Sequence, residues 1–158
     1  MAAYDLTTGT VDKNYQVHNN NWSVLEKTLD FSKFTGSAAG AATDTAKIIT
    51  LPVGFIVEDV FTVVLTPSTT SSSTFGVGDS GSSVYYLPNT TSATAAAGTV
   101  VKTGTGAASA FKDGTSVTTY SASTCKYYTA ADALVVVLGT TAPANGLVKF
   151  IVRGTWAI

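Results

Sequence analysis

Cysteine, histidine, glutamate and net charge are all scarce in this chain. It has 1 Cys, 1 His, and 9 basic against 10 acidic residues in 158, so charged side chains make up only 12%. A lone Cys125 permits no disulfide within one chain and no thiolate metal cluster, and reads as a small buried hydrophobe. A zinc site needs three or four clustered ligands, and His18 has no HxH or HExxH partner. The only glutamates are Glu26 and Glu58. As an acid and base pair of the glycosidase kind they are outweighed by their surroundings. Glu26 is expected to pair with Lys27 on a solvated strand face, and Glu58-Asp59 interrupts a strand, the mark of a bulge or a protected edge. No enzyme and no cofactor are expected.

Other absences narrow the partners. Basic residues scattered singly, with a net charge of -1, cannot neutralise a run of phosphates, so nucleic acid is excluded as a partner. The longest apolar run, Ala133 to Leu138, falls far short of the ~18 residues a membrane helix needs. The start, MAAYD, shows no basic region followed by an apolar one, so the chain is expected to be made in a cytoplasm without secretion. Helical spacing is missing too: no segment repeats apolar residues at i, i+3, i+4 and i+7.

What remains is rich in small residues, with 27 Thr, 21 Ala, 15 Ser and 14 Gly. Thr, Val and Tyr suit half-buried pleated surfaces, while Gly, Ser and Asn suit turns. A chain of this size forms one domain with one core. Residues 1–22 read as an extended arm, because their Asn-rich and Thr-rich text offers no face to bury, yet they hold Tyr4, Tyr15, His18 and Trp22. Residues 23–158 read as a single domain.

Alternation places strands at about 24–31, 47–51, 55–65, 73–78, 83–87, 123–129, 133–138 and 147–157. In the third, Phe55, Val57, Phe61, Val63 and Leu65 line one side. In the last, Val148, Phe150, Val152 and Trp156 share a face with Gly154. Pro52 and Gly54 punctuate the turn before Phe55. Residues 89–108 read as a loop or an excursion with one weak strand at 99–102. About eight strands of uneven length without crossover helices make an antiparallel all-β sandwich of two sheets, jelly-roll-like rather than an up-and-down barrel.

"GVGDSGS", residues 76–82, looks like a phosphate loop or a serine-protease nucleophile. The first needs a helix after the glycines and the second a histidine close by. A turn at Asp79-Ser80-Gly81 is the simpler reading. Asp79 with Asp132 offers calcium two carboxylates where six to eight oxygens are needed. The pairs Tyr85-Tyr86 and Tyr127-Tyr128 should each send one ring inward and one outward, since neighbours in a strand face opposite ways.

Residues 49–87, "ITLPVGFIVEDVFTVVLTPSTTSSSTFGVGDSGSSVYYL", resemble small virion structural proteins of tailed bacteriophages, especially head decoration or cement proteins. The likeness lies in the LPxGF turn into a long strand, the Ser/Thr tract, the GVGD turn and an Ala/Gly/Thr-rich remainder ending on Trp156. It implies a jelly-roll homotrimer on the outside of a capsid, clamping subunits of the major capsid protein. The arm would then be a clasp, with Tyr4, Tyr15, His18 and Trp22 against the shell. The alternative is a spike, fibre or lectin-like domain that binds a host glycan through Tyr85 and Tyr86.

Overall fold

A computed structural model describes residues 3–5, 13–17, 22–34, 44–102 and 125–157, with backbone alone at 3–5, 13–17, 22 and 90. The strands in chain order begin with β1 (Ala3–Asp5), β2 (Lys13–Val17), β3 (Trp22–Asp30) and β4 (Thr45–Leu51). Next come β5 (Phe55–Thr66), β6 (Thr74–Asp79), β7 (Leu87–Ser92) and β8 (Val100–Lys102), and last β9 (Lys126–Tyr127), β10 (Asp132–Leu138) and β11 (Leu147–Trp156). A short 3-10 turn, Phe31–Phe34, follows β3.

The strands form two sheets packed as a sandwich. One has the order β1-β4-β10-β6-β7 and the other β2-β3-β11-β5-β8, with β9 also on β5. Without β1, β2 and β9, the first strand (β3) lies beside the last (β11) and the second (β4) beside the next to last (β10). The chain changes sheets at every connection between these strands except β6 to β7. That is the double Greek key of a jelly roll.

Alternation explains which faces meet. In β11, Val148, Phe150, Val152 and Gly154 are buried while their neighbours are half-exposed. In β5 the expected face is half right. Phe55 and Val57 are buried, but so are Val60, Thr62 and Val64, while Phe61 and Val63 are half-exposed and Leu65 is exposed. The reason is a bulge: Arg153 pairs with Asp59 and Gly154 with Val57, so Glu58 is the extra residue. An extra residue in one strand reverses the facing of everything after it. The interruption read at Glu58-Asp59 is therefore real, and it decides which side of β5 faces the core. Between the layers, Phe75 of β6 lies 5.5 Å from the Phe31 ring and 5.8 Å from the Phe150 ring of β11.

Three glycine positions carry the fold locally. Gly54, at φ 83°, takes the third position of a turn closed by the Phe55 N–H donating to the Pro52 carbonyl at 3.2 Å. That left-handed position favours glycine. At Gly78 a Cβ would lie 2.5 Å from the Ser83 carbonyl carbon and 2.7 Å from the Tyr85 nitrogen, because the loop after β6 folds back across this strand. At Gly154 a Cβ would run into the Ile56 carbonyl and come within 2.7 Å of the Phe55 ring. Gly154→Val should therefore cost about 1–3 kcal/mol by overpacking, read as a lower midpoint in thermal unfolding. An unchanged midpoint would mean that β5 and β11 spread apart freely.

Several expectations need correction. Residues 83–86 form a turn, not a strand, and the strand is β7, starting at Leu87. The Tyr85 N–H donates to the Ser82 carbonyl at 3.1 Å, closing a tight turn. Pro88 is tolerated in β7 because this strand is the edge of its sheet, where a missing N–H costs no ladder bond. Cys125 is exposed, not buried. The side chain of this segment that enters the core is Tyr128, 4% exposed. Of the strand expected over 123–129, residues 123 and 124 lie with 103–122 outside the described residues, and among the described ones Lys126–Tyr127 is a strand.

Two stretches of the segment read as an arm are paired as strands. β1 runs parallel to β4, with Tyr4 opposite Ala46 and Asp5 opposite Lys47. β2 runs antiparallel to β3, with Tyr15 opposite Val24. Strand addition at a sheet edge uses backbone groups, so it needs no apolar alternation for a sequence reader to find.

Candidate functional site: the tyrosine end of the sandwich

Strand direction brings the turns at 52–54 and 79–86, the segment 125–131 and the end of β11 to one end of the sandwich. Backbone bonds tie them together. The Gly54 N–H donates to the Tyr128 carbonyl at 2.8 Å, the Tyr128 N–H to the Phe55 carbonyl at 2.9 Å, and the Ala157 N–H to the Gly54 carbonyl at 2.9 Å.

At the centre is Asp79, the last residue of β6 and 1% exposed. Its Oδ1 accepts the N–H groups of Gly81 and Ser82, both at 3.0 Å, which makes the expected turn. Its Oδ2 accepts the Tyr128 hydroxyl at 2.8 Å and is in direct contact with the Lys126 ammonium. Tyr128 also shares a hydrogen bond of 2.6 Å with the Tyr86 hydroxyl. The Lys126 nitrogen sits 4.8 Å from the centre of the Tyr85 ring, and that ring meets Tyr86 edge to face at 5.0 Å. One carboxylate thus joins the β6–β7 turn to the short β9 segment in the other sheet.

The electrostatics are those of a strut. Burial alone would raise the Asp79 pKa, but the hydrogen bonds from Lys126 and Tyr128 and the Ser82 N–H overcome it and hold the carboxyl below its ordinary value. Burial pushes both the Tyr86 and the Tyr128 hydroxyls well above the usual tyrosine range, so both stay protonated. An ionised acid and two protonated phenols arranged this way hold one another and leave no poised base. For calcium, the place a cation would take against Oδ2 is filled by the Lys126 ammonium. Among the described residues no group of three or more metal-ligating side chains comes together.

Outside this strut the end is mixed, with Ser80, Ser82 and Thr129 exposed beside apolar side chains. Among the described residues the exposed large apolar side chains are Val53, Leu65, Val84 and Tyr127, at 58, 41, 44 and 52%. Val53 and Val84 in turns and Tyr127 in β9 are at this end, and Leu65 is near the other end of β5. A groove of about 660 Å³ runs beside it along the outer face of the first sheet, between Lys47, Val135 and Val137 and the loop Ser80 to Val84.

The tyrosine pairs split as follows. Tyr127 points out and Tyr128 in, while Tyr86 is buried and Tyr85 is half-buried against the core. Tyr86 offers no ring to a ligand, because its face is in the core and its hydroxyl is on Tyr128. Trp22 opens β3 opposite Thr155 of β11, near this end. The Tyr15 and Tyr4 backbones sit further along β2 and β1, in different sheets. His18, and the side chains of Tyr4, Tyr15 and Trp22, lie outside what is described. Sequence reading missed the Asp79–Lys126 pair, whose members are 47 residues apart. The available signal was the two tyrosine pairs, which recur where the chain returns to the same end.

The sequence matches no protein-family model and no curated protein. Two solved structures are similar across their whole length. A chain of the cyanophage Pam1 capsid asymmetric unit aligns with TM-score 0.57 at 22% identity, covering 94% of this chain and 96% of that one. A chain of the capsid of Ralstonia phage GP4 aligns with TM-score 0.56 at 15% identity, covering 99% of both. At such identities the similarity is one of fold.

Proposed function

We propose that this chain is a virion structural protein that binds the outside of a phage capsid shell and stabilises it through non-covalent contact, as a decoration or cement protein does. The observation that carries this reading is the extent of the likeness. The jelly roll matches chains of two phage capsids from end to end, not one module of a larger chain. The sparse chemistry agrees with it, since the buried ionisable cluster of the described residues serves as a strut. Many copies on one shell multiply a modest affinity, and a homotrimer on the major capsid protein suits that role.

The test is made on particles. Phage particles lacking this protein should release their contents at a lower temperature than complete ones, and adding the purified chain back should restore the midpoint. Attachment should persist in about 1 M NaCl, where exposed charge pairs are screened within ~3 Å. The proposal fails if the protein is missing from purified virions, or if particles with and without it melt alike.

A further inference from the structure

We infer that Asn145-Gly146 is a site of spontaneous deamidation, and that the hydrogen bonds from Asn145 to Ser68 and Thr69 gate the reaction in the folded chain. The turn that leads into β11 carries both halves of this.

Asn145-Gly146 is the single Asn-Gly pair in the sequence, and the fold gives each member its own task. Gly146 has φ 109°, and a Cβ there would lie 3.0 Å from both the Ser68 nitrogen and the Thr66 carbonyl oxygen. A side chain at 146 is therefore opposed by backbone conformation and by space alike. The Gly146 carbonyl accepts the Phe31 N–H at 3.0 Å, which ties this turn to the 3-10 turn after β3. Asn145 Oδ1 accepts the Thr69 N–H at 2.8 Å and the Ser68 hydroxyl at 3.4 Å, and its Nδ2 donates to the Thr69 hydroxyl at 2.7 Å. Beside it the Ala144 N–H donates to the Thr70 hydroxyl at 3.1 Å. One side-chain amide thus fastens the turn before β11 to the turn after β5.

The dipeptide that packing demands is also a labile one. Glycine has no Cβ to shield its nitrogen, so the Gly146 nitrogen, on giving up its proton, can attack Asn145 Cγ. The N–Cγ bond forms, the Cγ–Nδ2 bond breaks, and Nδ2 leaves with that proton as ammonia, which closes a five-membered succinimide. Water then adds to either ring carbonyl and opens the ring, to aspartate or to isoaspartate, whose main chain runs through Cγ. The sum consumes one water, releases one ammonia and needs no other reactant. Asn145 and Gly146 are half-buried while Thr69 and Ala144 are exposed, so water reaches the turn.

The gate follows from the same contacts. Closing the ring makes Cγ tetrahedral and carries Oδ1 and Nδ2 away from their partners. The bonds to Thr69, one through each polar atom of the amide, must be given up before the product can form. After conversion to aspartate the side chain still accepts the Thr69 N–H but has no N–H to give the Thr69 hydroxyl.

The test keeps the purified full chain in mildly alkaline buffer, folded or unfolded by urea, and follows the peptide that contains residues 145 and 146 by mass spectrometry for the gain in mass from amide to acid and for isoaspartate. Asn145 should convert in the unfolded chain, and at least about tenfold more slowly in the folded one, the factor equivalent to ~1.4 kcal/mol for the hydrogen bonds to Thr69. Thr69→Ala removes the acceptor of Nδ2, and in its folded state should convert roughly fivefold faster than folded wild type, the factor for one hydrogen bond. An Asn145 that stays intact in the unfolded chain would overturn the site. Equal rates in folded and unfolded wild type, or a folded Thr69→Ala that converts no faster than folded wild type, would overturn the gate.

Discussion

Asp79→Ala should lower stability by about 3–5 kcal/mol, the range for removing one partner of a buried ion pair. At 2–4 °C per kcal/mol for a chain of this size, the unfolding midpoint should drop by roughly 10 °C. The change leaves the N–H groups of Gly81 and Ser82 and the Tyr128 hydroxyl without their acceptor in a buried site. Lys126, 31% exposed along its side chain, can turn to water, so the lower half of that range is expected. Asp79→Asn retains the shape and an acceptor and should cost less. The same carboxyl sets an acid limit. Its folded pKa is depressed, so its contribution is fully present above the unfolded value of about 3.9 and is lost as pH falls through the folded one. Wild type should lose stability below about pH 4 more steeply than Asp79→Asn does. Asp30, whose pKa is lowered chiefly by the Ser32 hydroxyl, acts in the same window and is common to both proteins. Calorimetric midpoints across that range make the comparison. Parallel curves would remove the strut from the account.

Phe75→Ala is the second large effect, expected at about 3–5 kcal/mol for a buried phenylalanine. Phe75 is 0% exposed and lies between Phe31 and Phe150, so its loss opens a cavity where β6, the 3-10 turn and β11 meet. Phe75→Leu should recover part of the loss by refilling that space. Equilibrium denaturation of both variants would show it, and a cost below about 1 kcal/mol for Phe75→Ala would mean that the layers collapse onto the gap. The site lies in the interior, between the sheets, so its effect should add to that of Asp79→Ala if the two share no partner.

Particular elements show where sequence reading succeeds. The β11 pattern from Val148 to Val152, with Gly154 sharing its face, is visible because alternation and burial are both local to one strand. The turn at Pro52-Val53-Gly54 is legible because a left-handed position demands glycine. The failures share a cause as well. The bulge at Glu58 could be located, but its effect on Phe61 and Val63 depends on how β11 pairs across it. The strand expected at 83–87 has the right residues for one, yet Asp79 and Ser82 bind the turn instead.

The sequence by itself determined an all-β sandwich, the near absence of reactive groups, and the turn chemistry at residues 52–54 and 79–81. These follow from periodicity and backbone preference within a few residues. Only the tertiary structure decided that Asp79, Lys126, Tyr86 and Tyr128 form one strut, that β5 reverses its facing, and that Val53, Val84 and Tyr127 share an end. Such partnerships join residues from distant parts of the chain, and they arise when a jelly roll winds its strands between two sheets.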